Sequence, residues 1–222
     1  MIRIDFQNQV VILVGADKVE FYAPKDVLTR CSWFFRAALS VNWQEGQENR
    51  VELPEEVPDT FSTFLQWAFC GSIILPEIKN PSFEDWTAKF IELYILADKV
   101  GATELKNGVI DQLHDYWDEM KMWEMPDDAL DKLLPDPCKL RDFYAAHLAY
   151  NIDTTQFEDA DEYAKFIAVP PSFLVKVMKR WVYEDRDHMY LKANAFYEHD
   201  ELVDAAKAVS YTHLTLPTKR IV

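Results

Sequence analysis

The chain has 222 residues and a formal charge of −15 at pH 7, with 38 acidic and 23 basic side chains. Such an excess of carboxylates repels phosphate backbones and argues against direct binding of nucleic acid. The composition is 49% hydrophobic and 14% aromatic, which predicts one or two packed domains and excludes a wholly disordered chain. No apolar run approaches the roughly 20 residues that span a bilayer, so no membrane contact is expected. The N-terminal residues also lack the pattern of a signal peptide.

The first elements in chain order are predicted to be a hairpin. Residues 10–15 form a β-branched apolar run that ends at glycine, which is typical of a buried strand. Residues 19–22 alternate apolar and polar side chains and are expected to pair with that run across a turn at residues 16–18. A third strand is predicted at residues 50–53. Together these segments indicate a small sheet.

Helices are predicted around this sheet. Pro24 suits the first turn of a helix that carries Val27 and Leu28 inward. Ser32 is the expected N-cap of the next helix, and Asp59 or Thr60 that of a later one, which ends at Gly71. A loop with a short extended piece is predicted at residues 74–81. Two further helices follow, from near Ser82 and from Ala102. Five apolar side chains of these helices are expected to share one core: Phe34, Phe61, Leu65, Phe90 and Leu93.

The second half of the chain is predicted to be helical. Prolines at 126, 135 and 137 mark a change of composition, and residues 121–137 are interpreted as a linker. Residues 138–205 are interpreted as a helical extension with two apolar stripes: Leu140, Phe143, Tyr144, His147 and Leu148, then Phe173, Leu174, Val177, Met178 and Trp181. Most of this apolar surface is expected to be core, and a surplus face would be an interaction surface.

The last residues differ in character from the rest. Residues 209–218 contain no acid, and the segment resembles a translated sequencing adapter fused to a truncated gene. Residues 209–222 are therefore expected to be non-native, with the native sequence departing from this one near Ala208.

Many spaced positions in the first half resemble the BTB/POZ domain, most closely that of filamentous fungi. The matching residues are Gly15, Phe21, Lys25, Leu28, Ser32, Phe34, Phe35, Glu45, Leu53, Pro54, Glu55, Pro58, Phe61, Phe64, Leu65, Trp67 and Gly71. Pro24 stands where many animal members have histidine. Leu140, Arg141 and Tyr144, with Pro171, Phe173 and Leu174, are similar to the tail of fungal members. The resemblance implies an α+β BTB/POZ fold over residues 7–120, a small sheet flanked by a helical cluster, with a C-terminal α-helical extension.

The family resemblance also implies a function. It indicates a non-catalytic protein–protein interaction module, a scaffold or adaptor that forms a homodimer or joins a larger assembly. Substrate adaptors of cullin-based ubiquitin ligases carry a hydrophobic-x-Glu motif, and the corresponding residues here are Trp43 and Glu45, assisted by Phe69 and Ile74. Self-association would use the first helix, with Lys25, Val27, Leu28 and Arg30. The alternative is a regulator of transcription or chromatin that acts through partners.

The sequence offers no catalytic constellation. It has no phosphate-binding glycine motif and no nucleophile elbow. Its five histidines are scattered, none with a cysteine at zinc-ligand spacing. Cys31, Cys70 and Cys138 are isolated, which is typical of reduced thiols in a cytoplasmic or nuclear protein, and the first two are expected to be buried structural thiols. Neither an enzyme nor a cofactor, a metal or a small-molecule substrate is expected.

Overall fold

The computed structural model describes residues 4–77, 79–122, 124–152, 158–183 and 196. The described residues divide into two compact units: the first unit extends to Val109, and the second unit begins at Ile110. Among the described residues, no helix is long and apolar enough to cross a membrane. The predicted non-native tail, residues 209–222, lies outside the described residues, as does most of the predicted extension beyond residue 183.

The first unit contains the small sheet that the sequence predicts. Strand β1 (Gln9–Val14) pairs antiparallel with β2 (Val19–Pro24) and parallel with β3 (Arg50–Leu53), in the order β2-β1-β3. The hairpin turn places Gly15 and Lys18 at positive φ, and the Lys18 N–H donates to the Gly15 carbonyl at 3.1 Å. The central strand β1 is the most buried of the three, in agreement with its continuous apolar sequence.

Three short helices lie between β2 and β3 in the sequence. They are α1 (Lys25–Cys31), α2 (Trp33–Ala38) and α3 (Gln44–Glu48). Ser32 caps α2 as predicted, because its Oγ accepts a hydrogen bond of 3.1 Å from the Phe35 N–H. The same hydroxyl donates to the Val100 carbonyl. Ser32 therefore fixes the start of α2 and also ties it to a distant part of the first unit.

Two longer helices complete most of the first core. They are α4 (Pro58–Cys70) and α5 (Phe83–Lys99). All five side chains predicted to share a core are at least 91% buried: Phe34, Phe61, Leu65, Phe90 and Leu93. The predicted cap of α4 is wrong. Its N-cap is Val57, because Pro58, which has no N–H to be satisfied, occupies the first turn in place of Asp59 or Thr60.

The ends of α4 and α5 follow the predicted signals. Gly71 ends α4 at φ +74°, a conformation that glycine adopts without strain. Ser82 and Asp85 form a capping box at the start of α5, and their hydrogen bonds lower the pKa of the Asp85 carboxyl. No strand or helix occurs among the described residues between Gly71 and Ser82, in agreement with the predicted loop. Helix α6 (Thr103–Met120) follows α5 and contains the division between the two units.

The second unit is helical as far as it is described. It contains the last turns of α6, then α7 (Asp128–Leu133), α8 (Lys139–Asn151), α9 (Ala160–Ile167) and α10 (Pro171–Tyr183). Helix α7 lies within residues 121–137, the stretch interpreted as a linker. The predicted stripe of α8 forms the core of this unit, with Leu140, Phe143, Tyr144 and Leu148 at most 1% exposed.

Candidate protein-interaction surfaces

The Trp43–Glu45 motif begins helix α3 and is held by backbone contacts. Trp43 is the N-cap; its N–H donates to the Ser40 carbonyl, and its own carbonyl accepts from the Gln47 N–H, both at 3.2 Å. A Cβ atom at Gly46 would lie 1.9 Å from the Ser40 carbonyl oxygen, so only glycine allows α3 to pack this closely on the preceding turn. The Trp43 side chain is half-buried. It is thus anchored and still accessible to a partner.

Glu45 lines a shallow cavity of about 300 Å³ on the first unit. Its lining combines apolar side chains with side chains of both charges: Phe34, Ala38, Gln44, Glu45, Glu48, Arg50, Val51 and Glu52. Glu48 accepts a hydrogen bond of 2.7 Å from Gln44, and Glu52 pairs with Lys18 at 3.1 Å. The Glu45 Oε2 atom is buried and accepts no hydrogen bond from any described residue.

Phe69 and Ile74 flank the turn that follows α4. Both are exposed, at 41% and 57%, so their apolar surface is open to contact. The intervening turn is fixed, since the Gly71 N–H donates to the Trp67 carbonyl at 2.7 Å. Ile73 packs inward, and its Cδ1 atom would be 3.4 Å from a Cβ atom at Gly108. The ordered backbone therefore holds Phe69 and Ile74 outward.

The residues predicted for self-association divide into two pairs on α1. Val27 and Leu28 have no exposed surface and belong to the core of the first unit. Lys25 and Arg30 reach the surface. The Arg30 Nη2 atom donates to the Ala68 carbonyl at 3.3 Å, which places the end of α1 beside the end of α4, next to Phe69. A second copy could reach only the charged pair directly.

The cysteines differ from one another in their surroundings. Cys31 is partly buried, and burial raises its pKa to about 11, so it is a thiol and a poor nucleophile at neutral pH. Cys70 is exposed, and its expected burial is wrong because it is the last residue of α4, beyond the inward-facing stripe. The described residues contain no group of three or more His, Cys, Asp or Glu side chains suited to a metal ion.

His147 lies in an aromatic cluster of the second unit, as its position on an apolar stripe predicts. Its ring is 4.4 Å from that of Phe143 and 5.1 Å from that of Trp117, measured between centroids. Burial, followed by the nearby His114, lowers the pKa of His147 to about 4. The imidazole is therefore neutral at physiological pH and acts as a packed ring.

Sequence reasoning missed the role of Arg141 as a buried brace. Its guanidinium donates to the carbonyls of Leu134 at 2.6 Å and Pro135 at 3.1 Å, and to the Asp131 carboxylate and carbonyl. It also donates to Ser172 Oγ at 3.3 Å. Hydrogen bonds from Arg141 and Ser172 lower the pKa of Asp131. The arginine thus joins α7, α8 and α10. In the sequence, the Leu140-Arg141 pair was the signal that could have indicated this role.

Comparison with known families identifies the first unit. Residues 5–100 match the family model of the BTB/POZ domain. These residues are a BTB/POZ domain. The match covers the three-stranded mixed sheet and the helices from α1 to α5. The BTB/POZ domain is a protein–protein interaction module. No curated protein matches the chain.

Proposed function

We propose that this chain is a BTB adaptor that recruits a cullin scaffold of a ubiquitin ligase through Trp43, Glu45, Phe69 and Ile74. The observation that supports this most directly is the half-buried Trp43 on an anchored helix start, at the position of the hydrophobic-x-Glu motif of such adaptors. The exposed Phe69 and Ile74 add large apolar side chains of the kind that dominate binding energy at interfaces.

Each residue has a distinct part in the proposed contact. Trp43 would insert its exposed ring edge between side chains of a cullin helix, and Ile74 and Phe69 would bury apolar area beside another. Glu45 would gain a donor for its unmet Oε2 acceptor, either from the partner or from the rearranged start of α3. The net charge of −15 favours association with a basic groove.

The test is retention of the host's own cullin by the immobilised full chain. Trp43→Ala and Ile74→Asp should each weaken retention at least about tenfold, since loss of a desolvated aromatic or apolar anchor costs roughly 2 kcal/mol. Val41→Ala is the matched control, because Val41 lies in the turn before Trp43, is 74% exposed and has no part in the motif. It should leave retention unchanged.

The proposal fails if the wild-type chain retains no cullin under conditions that retain a known adaptor. It also fails if Val41→Ala and Trp43→Ala weaken retention equally. Circular dichroism and the unfolding midpoint of each variant show whether the fold has survived, so a loss of binding without a loss of fold is attributable to the surface.

Self-association of the BTB domain is the second part of the proposal. Lys25 and Arg30 of α1 are the accessible members of the predicted set and would face a second copy.

A partner-mediated regulator of transcription or chromatin is the alternative function. It is favoured by the charge of −15, because such a chain would reach DNA only through other proteins. We also propose that the chain is most similar to fungal members of the family and that it acts in the cytoplasm or the nucleus.

The domain boundaries extend the proposal beyond residues 5–100. We propose that the BTB/POZ domain extends over residues 7–120, that residues 121–137 form a linker and that residues 138–205 form a helical extension. In this proposal residues 209–222 are a non-native segment. Helices α8 to α10 would then belong to a separate module that provides its own contacts.

A further inference from the structure

Strand β2 lies at one edge of the three-stranded sheet, in the order β2-β1-β3. One side of it pairs with β1, and its other side faces no strand in the described part of the chain. An edge strand presents a row of N–H and C=O groups that can pair with another extended segment. Strand β2 is therefore a place at which the sheet can be extended by a partner.

The hydrogen bonds of β1 show how β2 is paired. The Val11 N–H donates to the Asn49 carbonyl at 2.9 Å, on the side of β3. Successive residues of a strand direct their N–H groups to opposite sides, so the next residue, Ile12, directs its own toward β2. Its partner there is Phe21. Phe21 therefore uses its N–H and C=O groups for the pairing with β1.

Glu20 and Tyr22 provide the free backbone groups of β2. They lie on either side of Phe21, so their N–H and C=O groups point away from β1. In the described part of the chain, neither residue has a backbone hydrogen bond to another segment on that side. Both side chains are exposed, Tyr22 at 58%. The centre of the β2 edge is thus open to a partner.

The two faces of β2 differ beside this open edge. On the outer face, the Tyr22 hydroxyl donates to the Glu20 carboxylate at 2.5 Å. On the core face, the ring of Phe21 lies 5.2 Å from that of Phe61, and Val19 is 41% exposed. An added strand would therefore place apolar side chains on the side of Phe21 and polar side chains on the side of Glu20.

Glu20 is an acidic side chain of the outer face that forms no ion pair with any described residue. The two cations of that face belong to Glu52, which pairs with Lys18 at 3.1 Å and lies 4.0 Å from Arg50. A lysine or arginine opposite Glu20 would form an ion pair with it and would lie against the Tyr22 ring. A second copy of this chain is the poorer occupant, because its Lys18 is engaged and two chains of charge −15 repel one another.

We infer that an extended segment of a partner protein adds to β2 as an antiparallel strand, with a lysine or arginine opposite Glu20 and apolar side chains beside Phe21. Antiparallel pairing is the more stable arrangement per residue. The backbone hydrogen bonds supply affinity, and the alternating side chains supply specificity. This contact uses none of the residues proposed for the cullin contact or for self-association.

The probe is a capped, fluorescein-labelled peptide of about seven residues in which lysine and valine alternate, a length typical of a strand. Its fluorescence anisotropy is measured with the full chain at low ionic strength, where the ion pair is least screened. We expect a dissociation constant at or below about 100 μM. A peptide with glutamate in place of lysine should bind at least about tenfold more weakly.

A charge reversal on the protein tests the ion pair. Glu20→Lys should weaken binding of the lysine peptide at least about tenfold and make the glutamate peptide the better ligand. Glu20 is exposed, so the fold should survive, as checked by circular dichroism. Glu55→Lys changes an exposed acid that follows β3, at the opposite edge of the sheet, and is the matched control. It should leave the preference for lysine unchanged.

Methylation of the peptide amides tests the backbone pairing. In the antiparallel register the lysines lie opposite Glu20 and Tyr22 and direct their N–H groups at β2, whereas the valines direct theirs away. Methylation of the lysine amides should therefore weaken binding at least about tenfold. Methylation of the valine amides should leave most of the affinity.

Any of four results would overturn the inference. The first is no binding of the lysine peptide at about 1 mM chain. The second is a Glu20→Lys chain that still prefers the lysine peptide. The third is equal weakening by the two methylated peptides. The fourth is a dimer of the chain that the peptide dissociates in sedimentation velocity, since a second copy would then be the occupant of the β2 edge.

Discussion

At the scale of single residues, His147 links the packing of the second unit to pH. Its pKa is about 4 in the folded chain and about 6.5 in an unfolded one, so below pH 6.5 protons bind preferentially to the unfolded state. The stabilisation is therefore fully present above pH 6.5 and is lost as pH falls toward 4. Between pH 8 and 5 the free energy of unfolding should fall by about 2 kcal/mol through this residue. Urea unfolding at both values should show this loss, and His147→Leu should remove that part of it. An unchanged pH dependence in His147→Leu would contradict a buried neutral imidazole.

At the scale of helices and their ends, two glycines with similar backbone conformations have different surroundings. Gly101, between α5 and α6, has φ +64°, and a Cβ atom there would lie 1.6 Å from Trp33 Nε1. Gly71, at the end of α4, has φ +74° with no atom within 4 Å of the Cβ position. Gly71→Ala should cost only the backbone strain, about 1 kcal/mol. Gly101→Ala adds a steric overlap with a half-buried indole and should cost about 3 kcal/mol or more. Urea unfolding midpoints compare the two directly, and equal losses would show that Trp33 moves aside freely.

At the scale of the whole molecule, the charge of −15 opposes the compact state through self-repulsion. Added salt screens this repulsion, with a Debye length of about 10 Å at 0.1 M. The melting temperature should therefore rise by a few degrees between about 0.02 M and 0.3 M sodium chloride, the opposite of what is expected for a protein held by surface ion pairs. Differential scanning calorimetry of the chain measures this directly. A melting temperature that falls with salt would show that local pairs such as Lys99 with Glu56, at 2.8 Å, outweigh the overall repulsion.

Much of the first unit could be predicted because its signals are local. The first strand follows from a β-branched run and the second from alternating apolar and polar residues. Ser32, Gly71 and Ser82 are capping residues whose chemistry acts within a few positions. The start of α4 was misplaced because Pro58 and Asp59 both favour a first turn, and only the backbone distinguishes between them.

The surfaces were harder to predict because exposure depends on contacts made by distant segments. Helical spacing placed Met178 and Trp181 with Phe173 and Val177 on one stripe, yet Phe173 and Val177 are fully buried, whereas Met178 is 60% and Trp181 40% exposed. In the same way, Val27 and Leu28 were assigned to self-association, although the core of the first unit encloses them completely. Periodicity identifies which side chains are apolar, whereas tertiary packing decides which of them remain available to a partner.

The hydroxyl of Ser32 has a consequence for folding kinetics. It joins the start of α2 to the Val100 carbonyl across 68 positions of sequence, so the contact closes a long loop within the BTB/POZ domain. In the second unit, Arg141 contacts Asp131 and Ser172 across only 10 and 31 positions. Closing a long loop costs more chain entropy before its contacts repay it, and proteins rich in distant contacts fold more slowly. The helices that Arg141 joins should therefore pack together early during refolding, and folding of the BTB/POZ domain should be the slower step.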